Sequence, residues 1–271
     1  MHDYLIAVLL GIIEGITEFL PISSTGHLIL VNEFIGFQGQ FADSFAVIIQ
    51  LGAILSVIVY YYHKLLPFDR NKTPQEQQET WDLWKKTGVG MLPFLIIGAT
   101  VGKQIQKCLF NPIVVGTALL LGGIALVVLE SRNQSKPSKI NTISELNYLT
   151  ALKIGIIQCL AMVPGVSRSA ATIIGAMLLG TSRVVAAEFS FFLAIPIMAA
   201  ASAYSLYKDG IAFSVQQYIV LAIGFIVSFL VAWGVIAAFI KFVSQKNFKP
   251  FGYYRIFLGV AVLVYFLTRI N

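Results

Sequence analysis

The sequence predicts an all-α integral membrane protein, an inverted-topology repeat with six spanning helices and two re-entrant helical hairpins. Of its 271 residues, 57% are hydrophobic and 12% are charged, whereas soluble domains carry about a quarter charged residues. Apolar runs such as 113–129 and 218–240 approach or reach the ~20 residues that span a bilayer. The net charge of +6 lies between the runs and not in a basic patch with interleaved aromatics. No nucleic-acid partner is therefore expected.

Apolar periodicity and helix breakers predict ten helices. In chain order they cover 4–20, 26–36, 43–62, 87–103, 112–130, 148–163, 169–180, 187–206, 217–242 and 252–268. Pro21 and Pro164 each end a helix at a polar loop, and a brief apolar run follows. Each pair of short helices, 4–36 and 148–180, is predicted to be a re-entrant hairpin that enters the membrane part-way and returns.

The two predicted hairpins resemble each other in sequence. Three segments match, the second with a one-residue gap: 11–14 with 155–158, 21–24 with 164–167, and 44–52 with 188–196. The chain is therefore predicted to be a duplication whose halves, 1–135 and 136–271, form one membrane domain. Three spanning helices in each half is an odd number, which makes the repeats inverted.

Basic residues are distributed unequally between the two faces that this topology defines. One face holds fourteen of them: Lys64, Arg70, Lys72, Lys85, Lys86, Arg132, Lys136, Lys139, Lys153, Arg183, Lys241, Lys246, Lys249 and Arg255. The other face holds Lys103, Lys107, Lys208 and Arg269. The positive-inside rule makes the first face cytoplasmic and places both termini outside.

Glu14 and Glu18 lie one helical turn apart on the same face of an apolar helix. Ionisable groups at this depth usually line a cavity or a pathway, and a structural pairing or a position at headgroup level is the alternative. Two carboxylates can hold a divalent cation, or one of them can act as a protonated acid or as an orienting base.

The loop Pro21–His27 places hydroxyls, a glycine and an imidazole where a helix begins. Backbone N–H groups at such a start attract anions, Gly26 permits close approach, and Ser24 or Thr25 can donate to phosphate oxygens. Plain N-capping by either residue is the alternative. His27 is the one histidine of three that the topology places for acid/base or nucleophilic chemistry.

The second loop, Pro164–Ser169, carries Arg168, predicted to be the only basic residue inside the membrane. Its planar fork suits phosphate or carboxylate, and an ion pair with Glu14, Glu18 or Glu188 is the alternative. If inverted symmetry brings both loops together, they form a phosphate-handling site. Gln50 can complete the pocket wall, although simple packing is the competing interpretation.

The segments Glu14–His27 and Pro164–Ser169 resemble the two signature segments of the undecaprenyl-pyrophosphate phosphatases, also called bacitracin-resistance proteins. The resemblance covers essentially the whole chain. It implies an enzyme of the bacterial inner (plasma) membrane that hydrolyses the polyprenyl pyrophosphate lipid to the monophosphate carrier and inorganic phosphate, with a divalent cation (Mg²⁺ or Ca²⁺). The family usually has glycine after Ser-Arg-Ser, and this chain has Ala170 there.

The two loops and the resemblance together predict a role for each polar residue. The predicted site opens to the outside and sideways to lipid. The catalytic candidates are Glu14, Glu18, Ser24, His27 and Arg168; the phosphate-binding candidates are Ser23, Thr25, Gly26, Gln50, Ser167, Arg168 and Ser169; the metal candidates are Glu14 and Glu18. Ser24 activated by His27, water activated by His27, and His27 itself all stay open as the attacking group. A secondary transporter or lipid flippase on the same layout is the alternative function, and a homodimer is compatible with the sequence.

Overall fold

A computed structural model describes residues 2–133, 137–209 and 213–270. Within these ranges the secondary structure is helical apart from one isolated bridge between Ile140 and Thr181. The helices are α1 (His2–Thr17), α2 (Ser24–Ile35), α3 (Gln40–Tyr60), α4 (Tyr62–Leu65), α5 (Pro74–Leu109), α6 (Pro112–Asn133), α7 (Tyr148–Gln158), α8 (Arg168–Leu178), α9 (Arg183–Asp209), α10 (Val215–Gln245) and α11 (Lys249–Ile270). A 3₁₀ turn, Cys159–Met162, extends α7.

Six of the described helices are long and apolar enough to cross a membrane: α3, α5, α6, α9, α10 and α11. The predicted all-α membrane class and the number of spanning helices are therefore confirmed. The longest of the four hairpin helices, α1, has 16 residues and extends only about 24 Å, less than the ~30 Å of a bilayer core. The re-entrant path of both hairpins stays a prediction.

The start of α5 differs from the sequence prediction. This helix begins at Pro74, not at residue 87, and its first two turns are polar. A capping box explains the start, because the Thr73 N–H donates to Glu76 and the Glu76 N–H donates to the Thr73 hydroxyl. A search for apolar runs does not detect a helix that begins with polar residues.

Glycines allow the hairpin helices to lie close against long helices of the other predicted half. At Gly11 of α1, a Cβ atom would lie 2.8 Å from the Gly224 carbonyl oxygen of α10. At Gly155 of α7, a Cβ would overlap the carbonyl of Gly90 in α5. In the predicted repeat, α1 corresponds to α7 and α10 to α5. The repeat itself stays a prediction, and its boundary at 135/136 lies outside the described residues.

α9 lies at the centre of the molecule. In its most apolar 18-residue stretch 72% of the residues are buried, the largest share among the six described spans. Phe189, Phe191 and Phe192 are fully buried there and belong to the core. Ser190 lies between them on the same helix. α9 contacts both polar loops, through Phe191 against Phe19 and through Ser190, which accepts from Arg168.

Candidate functional site

Each polar loop ends in a serine with an unusual backbone. Ser23 and Ser167 both have φ +72°, and they are the only non-glycine residues of the described chain with positive φ. The Gly26 N–H donates to the Ser23 hydroxyl (3.3 Å), and the Ala170 N–H donates to that of Ser167 (3.2 Å). Each serine therefore caps a helix. Such a backbone costs about 1–3 kcal/mol and persists only where the surroundings hold it.

This geometry corrects the register of the sequence match between the loops. The sequence comparison placed Ser24 opposite Ser167, but the structure gives Ser23 the conformation and the cap of Ser167. Ser24 therefore corresponds to Arg168, each being the first residue of its helix. With Ser23 opposite Ser167, the one-residue gap in the sequence match affects only the residues around Pro21 and Pro164. The second loop has Gly165 there, at φ +90°.

Glu18 connects the two hairpins. One of its carboxylate oxygens, Oε2, accepts a hydrogen bond of 2.6 Å from the Ser24 hydroxyl. The other, Oε1, accepts a bond of 3.2 Å from Nη2 of Arg168, and both side chains of this ion pair are about nine-tenths buried. Of the three carboxylates considered as ion-pair partners of Arg168, Glu18 is the one that binds it. Glu188 pairs instead with Lys64, at 2.8 Å.

The Arg168 guanidinium is oriented by α9 and by its own helix. Nη1 donates to the Ser190 carbonyl oxygen at 2.8 Å, and the Thr172 hydroxyl donates to the Ser190 hydroxyl at 2.7 Å. Nε of Arg168 is buried without a hydrogen-bond partner in the described structure. This N–H is therefore available to a ligand. Sequence reasoning missed Thr172, although it lies one turn after Arg168, and it assigned no role to Ser190.

Among the described residues His27 forms no hydrogen bond with Ser24, so the alternative in which His27 activates Ser24 has no direct contact in this structure. Nδ1 of His27 lies 2.7 Å from the Ser23 carbonyl oxygen, and Nε2 lies 2.7 Å from the Tyr254 hydroxyl. The Ser24 hydroxyl turns to Glu18 because a carboxylate is the stronger acceptor. The structure leaves Glu18 as the only base in direct contact with Ser24 among the described residues.

Glu14 lies one turn before Glu18 and is fully buried, and neither of its carboxylate oxygens has a hydrogen-bond partner in the described structure. A buried carboxylate without a partner needs a proton or a cation. The described residues contain no group of three or more His, Cys, Asp or Glu side chains placed to hold a metal ion. Mg²⁺ commonly binds through one or two carboxylates plus substrate phosphates, so the pair Glu14 and Glu18 fits a cation that arrives with a phosphate ligand.

The remaining candidates lie in the two helix starts, with one exception. The Ser169 hydroxyl donates to the Leu20 carbonyl oxygen at 2.8 Å and lies 3.0 Å from the Ser167 hydroxyl. Thr25 and Gly26 lie in the first turn of α2. Ala170, which replaces the usual glycine, is buried and accommodated. Gln50 is half-buried in α3 without a hydrogen bond to any described residue.

Arg255 is a site residue that sequence reasoning misplaced on the cytoplasmic face. It is fully buried on α11, one of the candidate spans, and it contacts both polar loops, so Arg168 is not the only arginine at the site. Its guanidinium donates to five backbone carbonyl oxygens, those of Pro21, Ala118, Leu119, Gly165 and Val166, at 3.0–3.4 Å. Three of these belong to the polar loops. Arg255 therefore fastens both loops to α6 and α11 without a carboxylate partner.

The charge bias survives this correction. Without Arg255, thirteen basic residues remain on the predicted cytoplasmic face against four on the other. Lys136 lies outside the described residues, and so do the side chains of Lys208 and Arg269.

A second buried carboxylate, that of Glu130, lies away from the polar loops. It is fully buried and accepts two hydrogen bonds from Arg183, of 2.9 and 2.7 Å.

These features define a polytopic membrane protein in which two capped helix starts, two buried arginines and two carboxylates lie together in one polar site. The chain belongs to the family described as bacitracin resistance protein BacA, whose match covers residues 7–261. It is 49% identical to the undecaprenyl-diphosphatase of Limosilactobacillus fermentum, over 98% of each chain. It is 50% identical to undecaprenyl-diphosphatase 1 of Clostridioides difficile, over 96% of this chain and 95% of that one. The predicted family is confirmed, and the comparisons do not favour the transporter or flippase alternative.

Proposed function

We propose that this protein is an undecaprenyl-diphosphatase that hydrolyses undecaprenyl pyrophosphate to undecaprenyl phosphate and inorganic phosphate, which recycles the lipid carrier for cell-wall synthesis. Family membership and relatives of nearly equal length support the reaction. The observation that carries the proposal is the chain of contacts from Ser24 through Glu18 to Arg168. It joins a hydroxyl, a base and a phosphate-binding group across both hairpins.

Ser24 is the proposed nucleophile, with Glu18 as its base. The Ser24 oxygen attacks the terminal phosphorus, its proton passes to Glu18, and the bridging P–O bond breaks so that undecaprenyl phosphate leaves. Water then cleaves the phosphoserine, releasing inorganic phosphate and regenerating the Ser24 hydroxyl. The hydrogen bond of 2.6 Å between Ser24 and Glu18 supports this assignment over activation by His27.

Phosphate binding is assigned to Arg168 and the two helix starts. The first N–H groups of α2 and α8 have no intrahelical partner and attract anions. The unpartnered Nε of Arg168 adds a charged donor. Ser23, Thr25, Gly26, Ser167 and Ser169 border the same two starts. Gln50 is retained only as a candidate in the wall of the site.

A divalent cation, Mg²⁺ or Ca²⁺, would be held by Glu14 and Glu18. When bound, it would supply positive charge to the pyrophosphate oxygens. The orphaned oxygens of Glu14 support this assignment, because a second carboxylate beside Glu18 otherwise adds negative charge to an anion site. Glu14→Gln should therefore raise the cation concentration needed for half-maximal activity. Lost activity with an unchanged cation requirement would contradict the assignment.

We place the protein in the bacterial inner membrane, with the site open to the outside and laterally to lipid. The excess of basic residues on one face supports this orientation. Tyr254, in contact with His27, is 42% exposed on α11, a helix that spans the membrane in this topology. The polyprenyl chain is assigned to the lipid beside that residue.

The test is phosphate release from undecaprenyl pyrophosphate by the protein purified in detergent. Wild-type protein and Ser131→Ala, a serine exposed on α6, should release phosphate equally. Ser24→Ala should lose more than the ~10³-fold that removal of a single hydrogen-bond donor causes. Acid quench during turnover and mass spectrometry should find phosphate on Ser24. Absence of phosphate release by wild-type protein would refute the function, and a small loss in Ser24→Ala would refute only the nucleophile.

A further inference from the structure

Tyr254 of α11 lies outside both signature loops, yet it contacts the one histidine of the site. Its hydroxyl is 2.7 Å from Nε2 of His27. The two rings are stacked with an interplanar angle of 5° and centroids 5.5 Å apart. The adjacent Tyr253 is 58% exposed and has no hydrogen-bond or ring partner among the described residues. The contact therefore belongs to Tyr254 specifically.

The partners of His27 determine which ring nitrogen is basic. Nδ1 lies 2.7 Å from the Ser23 carbonyl oxygen, which can only accept a hydrogen bond, so Nδ1 carries a hydrogen. In the neutral imidazole, Nε2 then holds the lone pair and accepts a hydrogen bond from the Tyr254 hydroxyl. Both nitrogens are thus fixed by groups on different elements, the first loop and α11.

Arg255 makes this arrangement rigid. The residue after Tyr254 is fully buried and fastened to the carbonyl oxygens of Pro21, Gly165 and Val166. The backbone of α11 therefore keeps a set position relative to both loops, and the Tyr254 ring is placed against His27 from a fixed base. A tyrosine on a freely moving helix would not constrain the imidazole in this way.

We propose that Tyr254 is a positioning residue for pyrophosphate hydrolysis. Its ring and hydroxyl hold the His27 imidazole in the orientation in which Nε2 is the proton-accepting nitrogen, and the hydroxyl yields Nε2 to the water that cleaves the phosphoserine. This inference rests on the proposed function. It adds to the site a residue of the last helix that acts through His27 and not on the substrate itself.

Kinetics of matched variants test the role. Tyr254→Phe keeps the stacked ring and removes only the hydroxyl, and Tyr253→Phe is the control. A misoriented catalytic group can lower a rate by up to ~10²-fold, so we expect kcat to fall roughly tenfold in Tyr254→Phe with KM within about twofold. Tyr253→Phe should match wild type. In a His27→Asn background, Tyr254→Phe should cause no further loss. Equal losses in both backgrounds, or wild-type kcat in Tyr254→Phe, would overturn the proposal.

A second readout does not depend on activity. Nitrogen-15 NMR of histidine-labelled protein in lipid nanodiscs at pH 8, with His27→Asn to assign the signals, reports each ring nitrogen. Tyr254→Phe should shift Nε2 of His27 and leave Nδ1 near its wild-type position, and Tyr253→Phe should shift neither. An unmoved Nε2 signal would overturn the proposal even where kcat falls. If wild-type protein releases no phosphate, the proposed function fails, whereas the NMR experiment still decides whether Tyr254 holds His27.

Discussion

Replacing Arg255 with methionine should destabilise the protein and disable the site together. The variant removes five hydrogen bonds to carbonyl oxygens. The carbonyl oxygens of Ala118 and Leu119 keep their hydrogen bonds within α6. The carbonyl oxygens of Pro21, Gly165 and Val166 lie in loops. Each buried carbonyl left without a partner costs about 1–3 kcal/mol, so the three loop carbonyls together cost roughly 3–9 kcal/mol. That is a large part of the ~5–15 kcal/mol that stabilises a typical domain.

The assay is thermal unfolding in detergent together with phosphate release. Arg255→Lys keeps the charge with three donors for five acceptors, so it should fall between wild type and Arg255→Met. A milder perturbation is Gly122→Ala, whose Cβ would overlap Nη2 of Arg255. Its control is Gly234→Ala, where a Cβ meets nothing within 4 Å. Wild-type melting and turnover in Arg255→Met, or identical behaviour of the two glycine variants, would refute the reasoning.

Three further predictions concern other parts of the molecule. Arg168→Lys keeps the charge but not the fork, and loses about 2–5 kcal/mol of substrate binding, so kcat/KM should drop at least ~30-fold; near wild-type turnover would contradict this. In a cysteine-free background, a cysteine at Asn71 should resist an impermeant thiol reagent in intact cells, and one at Gln38 should be labelled; the reverse pattern would invert the topology. Arg183→Met strands the buried Glu130 carboxylate and should lower the free energy of unfolding by about 3–5 kcal/mol, measured by chemical denaturation; an unchanged midpoint would show that the pair is dispensable.

Hydropathy predicted the spanning helices because burial in lipid requires an apolar surface along the whole length of a helix. It failed for the first turns of α5, which a capping box at Thr73 starts among polar residues. It also missed α4, a single turn between Tyr62 and Leu65. Both misses lie where local hydrogen bonding, and not apolar periodicity, defines the helix.

The site was predictable as far as charge and loop chemistry determine it. The charge of Arg168 in an apolar segment predicted a carboxylate partner among Glu14, Glu18 and Glu188, and Arg168 does bind Glu18. The partner of Ser24 was not predictable, because sequence spacing alone favoured His27 and ignored the end of α1. Tyr254 and Arg255 were not predicted as site residues. They lie more than two hundred positions after the first loop, and only the packing of α11 against α6 brings them to it.

The two oxygens of Glu18 link phosphate binding to activation of Ser24. Without substrate, one oxygen accepts from Arg168 and the other from Ser24, so the positive charge of Arg168 draws electron density from the base. Under the proposed function, pyrophosphate competes with Glu18 for Nη2 of Arg168 through its greater negative charge, and the unpartnered Nε adds a second donor as the guanidinium turns. Once Arg168 turns to the phosphate, Glu18 becomes the stronger acceptor for the Ser24 proton. Activation of the hydroxyl thus follows occupation of the site, which limits attack by Ser24 to the moment when a phosphorus atom is present.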